Sequence, residues 1–199
     1  MKEINFDKLK IETGKLKTDQ SKQKKINTPK MKQIVIALLI CALTCTYSYG
    51  QDLKTEKIVE LNYVLDPAVL AGTKIIYANK SGTATGKING KILSIGGDFG
   101  ALLTPTTFKL DVRAVIQTDD SATIYVTYTG FIYTDAETFK LMASGGKKLK
   151  ELSPDKYYFR INPIFETTSP KYDWLNHTVT IGVGTRTETG VSYKIYAIK

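Results

Sequence analysis

The 199-residue chain has two cysteines, one histidine, one tryptophan and three arginines, and each scarcity removes a class of chemistry. Both cysteines, Cys41 and Cys45, sit in a segment read below as one removed from the mature protein. The remainder of the chain therefore has no disulfide, no thiol nucleophile and no thiolate metal ligand. His177 alone cannot supply the two or more His or Cys that zinc and iron sites usually need, so neither a metal nor a cofactor is expected. With no nucleophile elbow near it, His177 does not complete a Ser-His-Asp triad and reads as an exposed residue at a strand start. The glycine-rich pieces GGDFG (96–100) and GVGTRTETG (182–190) lack the strand–loop–helix setting of nucleotide-binding motifs and read as turns and bends. Positive charge is short in the place where a nucleic-acid binder needs it. The formal net charge is +9, yet residues 51–199 carry fifteen Lys and three Arg against fifteen acids, while residues 1–50 carry ten Lys and four acids. A nucleic-acid-binding domain keeps its positive field in its folded part, so DNA and RNA are set aside.

Long hydrophobic runs are also scarce. The ten apolar residues 34–43 (IVIALLICAL) rise only about 15 Å as a helix, half of the roughly 30 Å hydrocarbon core of a bilayer. Met31 and Lys32 precede the run, and Ser48-Tyr49-Gly50 place small residues at the −3 and −1 positions of a cut before Gln51. Residues 31–50 thus read as a secretory signal peptide, and the expected product is exported, periplasmic or extracellular, with no stable membrane span after cleavage. Ala42-Leu43-Thr44 before Cys45 match a lipid-attachment box poorly. Residues 1–30, Lys-rich and poor in aromatics, cannot bury enough apolar surface to fold. They read as a disordered leader, or as a start-site overcall with translation beginning at Met31.

What is abundant from Gln51 onward is period-two alternation of β-branched and aromatic residues, the mark of half-buried strands. It predicts strands near 57–65, 73–79, 84–94, 107–118, 122–133, 158–167, 177–187 and 190–198. Asp119-Asp120-Ser121 and Thr189-Gly190 fit tight hairpin turns, the second using the freedom of Gly at positive φ. One helix is predicted at 135–144, with Asp135 as N-cap, Glu137 in the first turn and Gly145 beyond its end. Eight short strands joined by short turns predict an all-β, antiparallel single domain over 51–199, a small barrel whose closure removes exposed edges. A β-sandwich is the alternative.

Alternation also sorts side chains into faces. Phe108, Leu110, Val112, Ala114 and Ile116 share one face of 107–118, and Lys109, Asp111, Arg113 and Gln117 the other; Arg160, Asn162 and Glu166 lie opposite Phe159, Ile161 and Phe165. Such polar rows are either the solvated side of a half-buried sheet or a fixed polar cluster. The chain prefers Lys, and its Arg residues, Arg113, Arg160 and Arg186, all fall on predicted strands. A guanidinium pairs two-point with a carboxylate or an anionic ligand, which Lys cannot copy. Arg113 and Arg160 beside Asp111 and Glu166 therefore form either an Arg–carboxylate lattice or a ligand anchor.

The stretch YYFRINPIFETTSPKYDWLN (157–176), with GGDFG (96–100) and LDVRAVIQTDDSATIYVTYTG (110–130) upstream, resembles the motifs of uncharacterised protein family 0311, the domain of unknown function 3237. The likeness runs from about Glu60 to Ile198. It implies a small antiparallel barrel of lipocalin-like shape and supplies no activity. The family's polar motif residues fall on Asp98, Asp111, Arg113, Tyr125, Arg160, Glu166, Trp174 and Asn176. Phe99 stands where the family usually has Trp, Ala114 where it often has Tyr, Ser121 for a turn Gly and His177 for a common Arg. The first two losses are expected to widen a pocket or change its ligand.

Three functions emerge as expectations. In the first, the barrel binds a small, partly apolar molecule bearing a carboxylate, carbonyl or hydroxyl, with Tyr125, Trp174 and Phe165 as walls and Asp98, Arg113, Arg160 and Asn176 among the contacts. In the second, the same site is a cofactor-free isomerase, cyclase or hydratase, with Asp111 or Glu166 as general acid or base and Tyr125 with an Arg stabilising negative charge. In the third, the barrel is packed solid and serves as a structural or interaction protein of the envelope.

Overall fold

Residues 52–144 and 152–199, with Gln33 and Ile36, are described by a computed structural model. The leader, the proposed cleavage site, Gly145 and nearly all of the signal segment lie outside the described residues. Nine strands occur in order: β1 (Thr55–Leu65), β2 (Val69–Ala71), β3 (Lys74–Gly86), β4 (Gly90–Thr104), β5 (Thr107–Thr118), β6 (Thr123–Tyr133), β7 (Tyr158–Glu166), β8 (Thr180–Arg186) and β9 (Gly190–Ile198). Helix α1 (Ala136–Ser144) lies between β6 and β7, and 3-10 turns occupy Pro154–Lys156 and Pro170–His177. All pairings are antiparallel, in the order β1-β9-β8-β7-β6-β5-β4-β3-β2, and a β1–β3 ladder closes the ring. Over the described residues of 52–199 the fold is a closed eight-stranded barrel with helix α1, and β2 is a short addition on β3. Closure leaves the eight barrel strands without a free edge and rules out the sandwich.

The apolar faces point inward as alternation predicts. Phe108, Leu110, Val112, Ala114 and Ile116 of β5 meet Ile124, Val126 and Tyr128 of β6 and Phe159, Ile161 and Phe165 of β7 in one buried core. Glycines make room for the largest rings. A Cβ on Gly184 would stand 2.6 Å from the Phe159 ring, and one on Gly182 would stand 2.6 Å from Ile161. Gly190 does not have positive φ, contrary to expectation. It is needed because β1 passes close by: a Cβ there would meet the Tyr63 carbonyl at 2.1 Å.

The expected break between strands at 80–83 is absent, because β3 runs through Gly82 to Gly86. Its turn is Lys87-Ile88-Asn89, closed by the Asn89 side chain, which accepts from the Gly86 N–H and donates to its carbonyl. GGDFG likewise proves to be strand. Gly96, at φ +83°, opens a bulge between Ile92 and Gly96 that bends β4 without ending it. On β7, Pro163 has no N–H to donate, and the β7–β8 ladder is confined to Arg160↔Val183 and Ile161↔Gly182. The Thr180 hydroxyl donates to the Pro163 carbonyl instead.

The two ends of the barrel are covered differently. At one end the 3-10 turn Pro170–His177 buries Tyr172 and Leu175. It is latched to the β5–β6 hairpin by Asp120, which accepts from Thr118, Lys171 and Tyr172. Those donors hold the Asp120 carboxyl down at about 2, the Lys171 ammonium contributing most. At the other end lies α1, started by Asp135, whose carboxylate accepts from the N–H groups of Glu137 and Thr138. No helix among the described residues is long and apolar enough to cross a membrane.

Candidate functional site

The barrel interior is not evenly filled. Around Ile58, Ile88, Ile116, Ile124, Phe165 and Leu175 the core is dry and apolar. Toward α1 a cavity of about 90 Å³ remains. It is far smaller than the roughly 300 Å³ at which sites for drug-sized ligands begin, and at about 30 Å³ per molecule it corresponds to some three waters. Leu65, Ile75, Phe108, Leu110 and Ile132 make its walls, while Phe139, Met142 and Ala143 of α1 form its cover. The polar groups reaching it are Tyr63, Tyr77, Tyr128, Tyr193, Asn79, Asp98 and Arg186.

Tyr193 of β9 sits at the centre of an aromatic cluster. Its ring meets Tyr63 at 5.9 Å, Tyr128 at 5.3 Å and Phe159 at 5.3 Å between centroids, each pair edge to face. Burial drives all three phenols above their ordinary range, so each stays protonated and each is a potential donor. Tyr63 is 2% exposed, and its hydroxyl makes no well-formed hydrogen bond. The neighbouring Tyr128 phenol, as a loose hydrogen-bond partner, offsets the effect of burial on Tyr63 only in part.

Asp98, on β4 opposite Tyr77 and Val112, brings a carboxyl into the same space at 9% exposure. Its Oδ1 accepts from the Asp111 N–H at 3.0 Å. Desolvation raises its pKa to about 6; the Asp111 N–H opposes this, the Asp111 carboxylate adds to it, and Lys74 opposes it weakly. Asn79 is committed to the wall, donating to the Ile95 and Arg113 carbonyls. Arg186, at the inward end of β8, donates to the Gly190 carbonyl and to the Met142 carbonyl of α1, so it ties the cover to the barrel. Among the described residues no group of three or more His, Cys, Asp and Glu gathers to hold a metal.

Of the residues given a site role in the sequence, Asp98 lines this cavity; Arg186, singled out there only for the scarcity of arginine, lines it too. Asp111, Arg113, Tyr125, Arg160 and Glu166 are on the outer face of the barrel, because their strand neighbours take the inward positions. Arg113 pairs with Asp111 at 2.8 Å where both are well exposed, and its guanidinium stands over Phe99 at 6.0 Å. Arg160 turns back to the Phe159 carbonyl and stacks on Tyr158 at 5.1 Å. These polar rows are the solvated side of the sheet, and no enclosed Arg–carboxylate cluster exists there. Trp174 and Asn176 belong to the 3-10 turn at the opposite end. Trp174 is half-buried with Lys87 at 5.9 Å from its ring, and Asn176 splices that turn to β7 by bonding both the N–H and the carbonyl of Thr167. Phe165 is buried as expected, but neither it nor Phe99 or Ala114 reaches the cavity.

Tyr63, Tyr128, Tyr193 and Arg186 were the residues missed. The tyrosines fall on apolar faces, where a ring reads as core. Arg186 carried the same signal as the other two arginines, scarcity in a Lys-rich chain, and it is the one whose strand position faces inward.

The barrel fold recurs in solved structures of similar sequence. A solved structure from Rhodopseudomonas palustris, a conserved protein of unknown function, superposes with a TM-score of 0.70 at 25% identity, covering 75% of this chain and 99% of that one. A β-barrel-like protein from Acinetobacter baumannii superposes with a TM-score of 0.64 at 32% identity, covering 76% and 99%. A UPF0311 protein of Clostridium acetobutylicum is 29% identical over 155 residues, which is 74% of this chain and 96% of the relative. The family model described as "Protein of unknown function (DUF3237)" matches residues 53–198, in agreement with the motifs read at 96–100, 110–130 and 157–176, and the chain belongs to that family.

Proposed function

We propose that this protein is an exported small-molecule-binding barrel, and that its site is the cavity beneath α1. The observation that carries the reading is what the cavity retains: a carboxyl, Asp98, and an unbonded phenol, Tyr63, inside otherwise apolar walls. A barrel built only for structure gains by filling such space with aliphatic side chains, as the opposite half does. Leaving a buried hydroxyl without a partner costs about 1–3 kcal/mol, a cost that a ligand accepting its hydrogen bond removes. An apolar pocket with a few convergent polar groups is the usual form of a binding site.

The ligand is a small, partly apolar molecule presenting a carbonyl or hydroxyl to Tyr63; a carboxylate would require Asp98 to be protonated. A cavity of about 150 Å³ in a protein holds benzene, so the closed space here suits a head group of about four non-hydrogen atoms. Ala143, exposed at the cover, leaves a longer tail a way out. Export rests on the apolar run 34–43 and the small-x-small site before Gln51. N-terminal sequencing of the secreted product should begin at Gln51, and any earlier residue would remove that part.

Native mass spectrometry of the protein isolated from its own host tests the binding. The expected result is an added mass that is lost on denaturation and is missing from Val191→Phe, in which a larger ring on a buried wall residue of β9 fills the cavity. An adduct equally present in the variant, or none in the wild type, would overturn the reading.

A further inference from the structure

We propose, building on the binding reading, that the cavity catalyses proton transfer at a carbon next to a carbonyl, with Asp98 as the base, the Tyr63 hydroxyl as the donor to the developing oxyanion, and small aliphatic ketones or aldehydes as the substrate class. That reaction needs three things in one place. It needs a base that is ionised near neutral pH yet not so stabilised that it loses basicity. It needs a hydrogen-bond donor free to meet an oxygen as it gains charge. And it needs a dry enclosure in which that bond is strong.

Asp98 meets the first requirement. It is nearly buried, held by one backbone N–H, and its basicity is raised by the apolar walls. The charged groups acting on it are Asp111 and Lys74, and a neutral ketone adds no charge beside them. Tyr63 meets the second: its hydroxyl is enclosed and held by no well-formed hydrogen bond, with only the Tyr128 phenol loosely beside it, and burial keeps it protonated at any physiological pH. The apolar walls and the α1 cover serve the third, leaving room for only about three waters, which a ketone displaces. A carboxylate base combined with phenol donors in an apolar pocket is a sufficient set for enolisation.

The step balances without a cofactor. The Asp98 carboxylate takes the α-proton, the C–H pair becomes the C=C bond of the enolate, and the carbonyl π pair moves onto oxygen, where Tyr63 donates to it. Asp98 then delivers a proton back. When its carboxyl has first traded the abstracted proton for one from solvent, delivery to the same carbon exchanges hydrogen; delivery to the γ-carbon of a β,γ-unsaturated ketone moves the double bond. The product is the substrate or its isomer, and no oxidant or reductant takes part.

The test measures exchange of the α-hydrogens of acetone, butanone and pentan-2-one in D₂O by proton NMR, using the full chain, with binding read separately by saturation transfer from protein to ketone. Expected is exchange above buffer whose rate rises with pH to a plateau with a midpoint near 6, the value set for Asp98 by its burial. Asp98→Asn should lower the rate at least about 100-fold and abolish that profile. Tyr63→Phe should lower it by about 100-fold while leaving the midpoint in place. Both variants are close in shape to the wild type, and the circular dichroism of each reports that the fold is kept. Ketones that bind without exchange above buffer, or exchange that survives Asp98→Asn, would overturn proton transfer and leave the binding reading standing. No binding by any ketone in the series would likewise overturn proton transfer, and the binding reading would then fall only if the native mass spectrum also showed no adduct.

Discussion

Replacing Asp98 with Asn should change how stability depends on pH, and the structure sets both the sign and the size. Asp98 has a folded pKa of about 6 against an ordinary 3.8. A carboxyl raised on folding binds more protons in the native than in the unfolded state between those values, so the stability it confers is complete below about 4 and falls as pH rises to about 6. A pKa difference of about 2, at about 1.36 kcal/mol for each unit, amounts to roughly 3 kcal/mol of destabilisation on the alkaline side. The amide introduced by Asp98→Asn can still accept from the Asp111 N–H but carries no charge to desolvate. Urea denaturation of the full chain and of Asp98→Asn from pH 4 to pH 8 should give a difference curve that rises by about 3 kcal/mol in favour of the variant and levels off above pH 7. Glu56, held at about 2 mainly by Lys199 and Lys87, and Asp120, also at about 2, have the opposite sign. Their contributions are present above pH 4 and lost as pH falls toward 2, and they cancel in the difference because both proteins carry them. A flat difference curve, or one sloping the other way, would refute the claim that Asp98 is a desolvated carboxyl.

The same packing sets three further outcomes. Tyr63→Phe removes a buried hydroxyl without a well-formed hydrogen bond and should stabilise the protein by about 1 kcal/mol, or about 2–4 °C by calorimetry; a loss of similar size would mean that the neighbouring Tyr128 phenol is a true partner. Gly184→Ala puts a methyl 2.6 Å from the Phe159 ring and should cost about 1–3 kcal/mol, read from the urea midpoint. Asp120→Ala cuts the latch to Thr118, Lys171 and Tyr172. It should speed amide exchange across 170–177 while leaving the cavity end unchanged.

The barrel was legible in the sequence for a definite reason. A strand repeats every two residues, so 107–118, 122–133 and 158–167 each display an apolar and a polar row, and closure comes from having many such strands and short connections. Asp135 announced α1 through its position before a helical stretch, and the Arg scarcity pointed to residues that make fixed contacts. The errors arose where a local signal admits two geometries. GGDFG contains the residues of a turn, yet they also suit a strand that must bend sharply through a bulge, as β4 does at Gly96. Gly82 resembles a turn residue and is instead where the Asn62 carbonyl of β1 comes too close for a Cβ, at 2.3 Å.

The candidate site is where sequence and fold divide most clearly. Polar rows draw attention to Asp111, Arg113, Arg160 and Glu166, but a barrel turns its polar rows to water. The chemistry it can enclose must come from polar atoms carried on its apolar rows. The sequence alone determined most of the strands, their two faces and the antiparallel all-β class, since each depends on neighbours a few residues apart, whereas closure over a sandwich came from the β1–β3 ladder. Only the tertiary structure decided that Tyr63, Asp98, Tyr128, Arg186 and Tyr193, from five different strands, meet around one cavity. That meeting depends on the register and curvature of the whole sheet, which put residues far apart in the chain side by side and leave space between them.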